Sequence, residues 1–270
     1  MLMLVLPLLA GVGLVRPARA ALDLDGHLIQ GGLAFGRTDA RSRVTLDKQP
    51  VPVTRDGRFM LAFGRDHAPR ATLSITRPDG RTETQDLAIT QRTYDIQRID
   101  GLPQNKVEPN AEELRRIKAE QLRINAARAR DTDLPYAFEP FEWPALGPIS
   151  GVYGSQRILN GQPRRPHFGV DVAAPVGTPL KAPAGGIVSL ADADLFFTGG
   201  TVIIDHGHGL ASLFAHMQKV VVKEGDAFDK GGYVGDLGGT GRVTGPHLHW
   251  GMFLFSTPID PQLLVPPMPS

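Results

Sequence analysis

Between residues 21 and 100 the chain alternates apolar and polar positions in short runs. Ala71, Leu73 and Ile75 alternate with Thr72, Ser74 and Thr76. This period of two sends one face of a strand into a core and the other into water. Val51-Pro-Val53, Arg58 to Phe63 and Thr82 to Ile89 are further strand candidates, separated by the turn signals Asp56-Gly57 and Pro78-Asp79-Gly80. About six or seven strands at this spacing predict a small β-sandwich of immunoglobulin-like type.

The period changes in residues 101–137. Asn110 with Glu113 predicts an N-cap and its capping-box partner, and a helix over about 110–130. Leu114, Ile117, Gln121 and Ile124 share one helical face, while Arg115, Arg116, Lys118, Arg123, Arg128 and Arg130 ring the others. The pattern predicts an amphipathic linker helix that packs its apolar stripe on a neighbouring domain. The rival reading is a basic face for a membrane surface or a partner. Residues 138–265 return to β structure, with β-branched runs such as Thr201 to Ile204 and Val220 to Val222 broken by Gly225-Asp226, Gly231-Gly232 and Gly238-Gly239. An antiparallel β domain is expected there, with no helical layer of its own. The whole chain therefore reads as all-β dominated.

Met1 to Val15 is almost continuously apolar and Ala18-Arg19-Ala20 is a small-x-small cleavage pattern, so residues 1–20 read as a secretory signal peptide. Left uncleaved, the same segment would be an N-terminal anchor. No later run is apolar enough to span a membrane, and both readings place the body outside the cytoplasm. The formal charge is +1; without Arg16 and Arg19, 27 basic face 28 acidic residues and it becomes −1. Nucleic-acid binding through clustered Lys and Arg is not expected from this balance. The chain has no cysteine, which excludes disulfides, thiolate zinc ligation, iron–sulfur clusters and thiol catalysis. Any metal must be held by His, Asp or Glu.

Six of the eight histidines lie beyond residue 150; His27 and His67 stand alone and read as surface or turn residues. His167 and Asp171 occur in H-F-G-V-D, four residues apart. A regular strand would hold such side chains about 13 Å apart, so a bend at Gly169 is needed to bring them together. His247 and His249 in H-L-H share a strand face, with Leu248 on the other. Three protein donors with an open fourth position make a catalytic zinc site. His206 and His208 in D-H-G-H-G have the same spacing, but the flanking glycines predict a tight, solvated hairpin turn, a poor place for a pre-organised metal. His216 in L-F-A-H-M follows an apolar strand and is a candidate for acid–base work.

H-F-G-V-D-V-A-A-P, L-F-A-H-M and G-T-G-R-V-T-G-P-H-L-H-W, in this order across residues 150–262, resemble the lysostaphin-like (LytM-type) zinc endopeptidases. The resemblance implies a compact antiparallel fold with an open groove. It implies one Zn²⁺ held by His167, Asp171 and His249, with His216 and His247 as the two catalytic, non-ligand histidines. The expected substrate is the peptide part of peptidoglycan, in the periplasm, with D-amino-acid crosslinks as the bond cut. A cell-wall or division protein partner is compatible with this setting, and the oligomeric state is left open. Which histidine does which task is not set by spacing; His247 is taken as general base and His216 as oxyanion stabiliser. Some members of this family have lost ligands and only activate other wall enzymes, so the rival function is a silent or autoinhibited regulator of a peptidoglycan amidase. A carrier module of the lipoyl type is a weaker rival, since Lys230 precedes Gly231-Gly232 rather than sitting at a hairpin tip between Met or Ala.

Overall fold

A computed structural model describes residues 24–269, so the signal-peptide reading of residues 1–20 lies outside the described residues. Seven strands come first: β1 (Leu24–Gly26), β2 (Leu33–Arg37), β3 (Arg43–Leu46), β4 (Gln49–Val51), β5 (Arg58–Ala62), β6 (Arg70–Thr76) and β7 (Thr82–Ala88). They form two sheets, β1-β2-β5 and β4-β3-β6-β7. Three strands facing four in this order is an immunoglobulin-type sandwich. Its core is Phe59, Leu61, Phe63, Leu73, Ile75 and Leu87 from the facing sheets. The alternation along β6 is what buries Ala71, Leu73 and Ile75 while Thr72 stays exposed. Asp47 and Lys48 both adopt positive φ, at 49° and 67°, and close β3 onto β4 in a tight hairpin.

Strand β8 (Ile96–Ile99) lies within the span assigned to the sandwich but pairs elsewhere. It runs parallel to β10 (Gln156–Leu159) of the second region, with Ile96 opposite Gln156 and Ile99 opposite Leu159. The first of the later strands, β9 (Ile149–Gly151), precedes it, and β11 (Gln162–Pro163) completes a three-stranded ribbon β11-β10-β8. Between the regions stand a short α1 (Gln104–Val107) and α2 (Ala111–Arg128). The capping box forms as read: the Asn110 side chain accepts from the backbone N–H of Glu112 and Glu113, and Glu113 accepts from that of Asn110.

The large sheet is built from β12 (Val170–Val172), β13 (Pro179–Lys181), β14 (Gly186–Leu195), β15 (Gly199–Gly207), β16 (Leu210–Val220), β17 (Ala227–Phe228), β18 (Tyr233–Leu237), β19 (Leu248–Leu254) and β20 (Thr257–Ile259). Its main path is β17-β14-β15-β16-β19-β12-β9, antiparallel throughout. One face carries Val170, Val202, Ile204, Phe214, Leu248 and Trp250 into the main core. The other carries Leu190, Ile203, Leu213 and Phe253 against Ala127 and Ile124 of α2. The linker helix thus supplies the second layer that the β domain's own sequence lacks. This is why β15 is buried on both faces along its whole length. The basic face of α2 also takes part, through Arg116 to Asp194 at 3.1 Å and Arg123 to Asp192 at 2.7 Å.

Candidate metal centre

The site begins with strand register. Asp171 in β12 lies directly opposite His249 in β19, and His249 lies opposite Ala215 in β16. Residues directly opposite share a face. Along β19, Leu248, Trp250 and Met252 point into the main core, so His249 points to the other face. Further along that face Phe253 is covered by α2. His249 stands beyond the helix, with 15% of its side chain exposed.

His167 reaches the same point from outside the strand. Its backbone is pinned on both sides, its N–H donating to Ser155 O at 2.9 Å and its carbonyl accepting from Gly154 N–H at 2.7 Å. The chain bends at Gly169, as the spacing required. Gly169 has a second role that the sequence did not show: a Cβ there would lie 2.6 Å from Trp250 O and 2.7 Å from Cε1 of His249. Gly151 makes similar room, since a Cβ would lie 2.4 Å from Asp171 Oδ2.

His167 Nε2, Asp171 Oδ1 and His249 Nδ1 form a triangle with sides of 2.8, 2.9 and 2.9 Å. His167 Nδ1 faces the carbonyl of Val152 at 3.0 Å. A carbonyl only accepts, so Nδ1 carries the proton and Nε2 presents a lone pair. Three electron-pair donors therefore converge where at most one proton is available to be shared. Two imidazoles and a carboxylate are the donor set of a catalytic zinc site. Among the described residues this is the group of three or more His, Asp or Glu side chains able to hold a metal.

The charge states suit a cation. Burial pushes His167 down to about 4, against the pull of the Asp171 carboxylate, so the ring is neutral at pH 7. Burial alone would raise the Asp171 carboxyl, but the His167 and His249 rings set against it outweigh that and hold it well below the usual carboxylate range. Its second oxygen accepts from Arg157 Nη2 at 2.9 Å, and Arg157 in turn reaches Gln97 Oε1 at 3.3 Å. Arg157 was not singled out from the sequence. Nothing in S-Q-R distinguishes it from other arginines, and only the fold brings it to Asp171.

Two more histidines complete the rim. His247 Nδ1 donates to Gly245 O at 2.9 Å, which leaves Nε2 3.7 Å from Asp171 Oδ1. His216 follows Ala215, so a regular strand would turn it into the core with Phe214. Instead it adopts a φ of 66°, and the β16 pairings shift register around it. This irregularity re-aims the ring to the open face. Its centroid is 4.9 Å from that of His247 and 6.2 Å from that of His249. His216 Nδ1 donates to Thr240 O at 2.8 Å. Burial, then the neighbouring His247 and His249, push its pKa well below the ordinary value, so it too is neutral. A cleft of about 130 Å³ opens on Asp171, His216 and His247, with Gln97 and Ile99 of the β8 strand in its wall.

His206 and His208 lie elsewhere, and the turn assignment needs correcting for one of them. His206 is inside β15 and fully buried, not solvated. Its Nδ1 faces Gly185 O at 2.7 Å and its Nε2 faces Ser212 Oγ at 2.6 Å. The strand runs three residues past Ile204, through Gly207, because its partner β16 continues to pair. His208 does occupy the turn, at a φ of 51°. His67 packs edge-on against Phe63 in the sandwich, and His27 is exposed.

Comparison with known proteins accords with this geometry. Residues 165–261 match the model of peptidase family M23. A solved structure of a peptidase M23 from Pseudomonas aeruginosa superposes with a TM-score of 0.69 at 30% identity, covering 88% of this chain and 94% of that one. The chain belongs to peptidase family M23. Its M23 relatives include the peptidoglycan DD-endopeptidase ShyA of Vibrio cholerae, 26% identical over 265 residues. That alignment takes in 96% of this chain and 55% of ShyA, so the chain spans about half the length of this relative. The peptidoglycan DD-endopeptidase ShyC of the same organism is 39% identical over 104 residues, 38% of this chain and 24% of ShyC. The five histidine and aspartate positions of the site all fall inside the matched M23 segment.

Proposed function

We propose that this M23 peptidase is a zinc-dependent endopeptidase that hydrolyses peptide crosslinks of peptidoglycan, cutting D-amino-acid crosslinks in the periplasm. The observation that carries the reading is the triangle of His167, Asp171 and His249 beside the imidazoles of His216 and His247. The names of the relatives as peptidoglycan DD-endopeptidases support the substrate class. In this reading the sandwich takes residues 21–100 apart from β8, which pairs with β10, the linker takes 101–137 and the peptidase domain 138–265.

Zinc held by His167, Asp171 and His249 would supply a Lewis acid for the scissile carbonyl and a water of lowered pKa. The protein's own part is proton handling. With Nδ1 protonated toward Thr240, neutral His216 offers Nε2 as an acceptor for the proton of the attacking water. His247 also has Nδ1 tied, to Gly245, so its Nε2 donates only when the ring is cationic. Burial opposes that charge at His216, which is 7% exposed, and His247 stands on the rim of the cleft. This favours His216 as base and His247 as the donor to the oxyanion, the reverse of the sequence-based expectation. The proton taken by the base is then delivered to the departing amine. Arg157 fixes the orientation of the Asp171 carboxylate. The rival reading, a regulator without catalysis, would be marked by a missing donor, and none of the three is missing.

Digestion of purified crosslinked peptidoglycan is the direct test. Loss of crosslinked dimers that stops on chelation and returns with zinc is expected. No product at any zinc concentration would overturn the reading.

A further inference from the structure

Arg242 lines two clefts at once. One is the small cleft over Asp171, His216 and His247. The other, of about 560 Å³, lies between α2 and the peptidase domain. Its walls are Leu114, Ile117, Lys118 and Leu122 from the helix and Arg164 and Arg165 from the loop before His167. Arg242 is therefore a wall shared by the cleft at the metal donors and the cleft at the helix.

The larger cleft carries Lys118, Arg164, Arg165 and Arg242 and no acidic residue. The chain as a whole is nearly neutral, so composition does not account for this concentration of one sign. Among the described residues none of these four cations forms an ion pair with a carboxylate. Arg242 is half-buried with its guanidinium over the ring of Phe197 at 4.3 Å, and the only side-chain hydrogen bond it donates goes to the backbone carbonyl of Lys106. Burial and the nearby charges of Arg157 and Arg164 push its pKa down to about 10, which still leaves it cationic at pH 7. A charge kept there without a counter-ion is a cost that an incoming anion would remove.

The helix adds an apolar wall. Leu114 and Leu122 are 54% and 63% exposed, although α2 docks firmly through Ile124 and Ala127. The stripe read from the sequence is thus divided: one end packs on the sheet, and the other faces the cleft. A concave channel with an apolar wall and unpaired cations suits an extended chain that bears both carboxylates and small apolar groups. A bilayer surface is flat and would not reach Arg242.

We propose that this cleft binds a carboxylate-bearing peptide strand of the substrate, and that the linker helix is part of the substrate-binding surface. The proposal rests on the peptidase reading for the identity of its ligand, but not for its test. The full chain, held in chelator so that nothing is cut, is titrated by fluorescence anisotropy against a labelled acidic stem peptide. The same peptide with every carboxylate amidated serves as the comparison. The native protein is expected to prefer the acidic form about tenfold or more, an increment that a few charge-assisted contacts supply. The exposed pair Lys118→Glu with Arg165→Glu should reduce that preference to within about twofold, as should Arg242→Gln. Leu122→Ser should weaken both peptides alike. No preference in the native protein, or an unchanged preference in the variants, would overturn the proposal. So would binding to phosphatidylglycerol vesicles that the charge reversal abolishes while peptide binding persists. A protein that shows the preference yet never cuts peptidoglycan would instead overturn the peptidase reading and leave this site standing.

Discussion

Two segments of this protein present histidines two residues apart, and they do opposite things. In β19 and the residue before it, His247 and His249 stand on a strand face that the helix leaves uncovered, opposite Asp171 and beside Ala215. In β15, His206 is sealed between Gly185 O and Ser212 Oγ, and His208 sits at a turn. In the first pair His249 turns Nδ1 to the point it shares with His167 and Asp171, and His247 stands on the rim beside it; the second has its ring nitrogens satisfied by the fold at His206. Spacing is identical, so what separates a metal centre from a core histidine is which atoms lie across the sheet.

The largest effect should come from the donors themselves. Asp171→Ala or His249→Ala should lose bound zinc, with turnover down by 10³-fold or more, read by metal analysis of the purified protein and by crosslink cleavage. His247→Ala and His216→Ala should keep the metal and still lose on the order of 10²-fold or more in turnover. Equal zinc in His247→Ala and His249→Ala would break the distinction drawn within the H-L-H segment. Gly169→Ala should act like a weak donor mutation, because its methyl would press on the His249 ring; a lowered zinc affinity with the fold retained is the expected reading.

At the second segment the effects should be on stability alone. His206→Ala removes two buried hydrogen bonds and leaves a cavity, and should cost about 2–4 kcal/mol in a urea unfolding experiment without altering zinc content. The same residue predicts a pH dependence. His206 is pushed down from 6.5 to about 4 by burial. Between these values the unfolded chain binds a proton that the folded chain does not, so stability rises with pH across the window. It is complete above about 6.5 and is lost as pH falls toward 4, to a total of roughly 3 kcal/mol. Chelated native protein should show this acid limb, and His206→Gln should show a shallower one. The smallest effect is expected at His208. His208→Gly relieves a positive φ while removing a contact with Phe138, and should leave the unfolding midpoint within about 1 kcal/mol of the native value.

Local signals in the sequence were read well where they act locally. The period-two run of β6 and the Asn110 capping box needed no distant partner, and both formed as their residues indicated. The motifs around His167, His216 and His247 carried the resemblance to the family to which the chain belongs, and the fold brings His167, Asp171 and His249 together. The reading failed at β8, whose pairing with β10 spans some sixty residues of chain and leaves no trace in local periodicity. It failed again at His206, where glycines suggested a turn but the partner strand extended the sheet past them.

Residue types and their order were therefore enough to specify a β-sandwich, a capped helix, a second β domain and a histidine–aspartate donor set, because hydrophobic period, capping and ligand chemistry are properties of neighbouring residues. Register decided the rest. Only the sheet pairing sets Asp171 against His249, bends His216 back to the open face, and brings Arg157 and Arg242 to the cleft over Asp171. Those contacts depend on strand partners tens of residues away, and a hydrogen-bonded ladder, not sequence proximity, holds them in place.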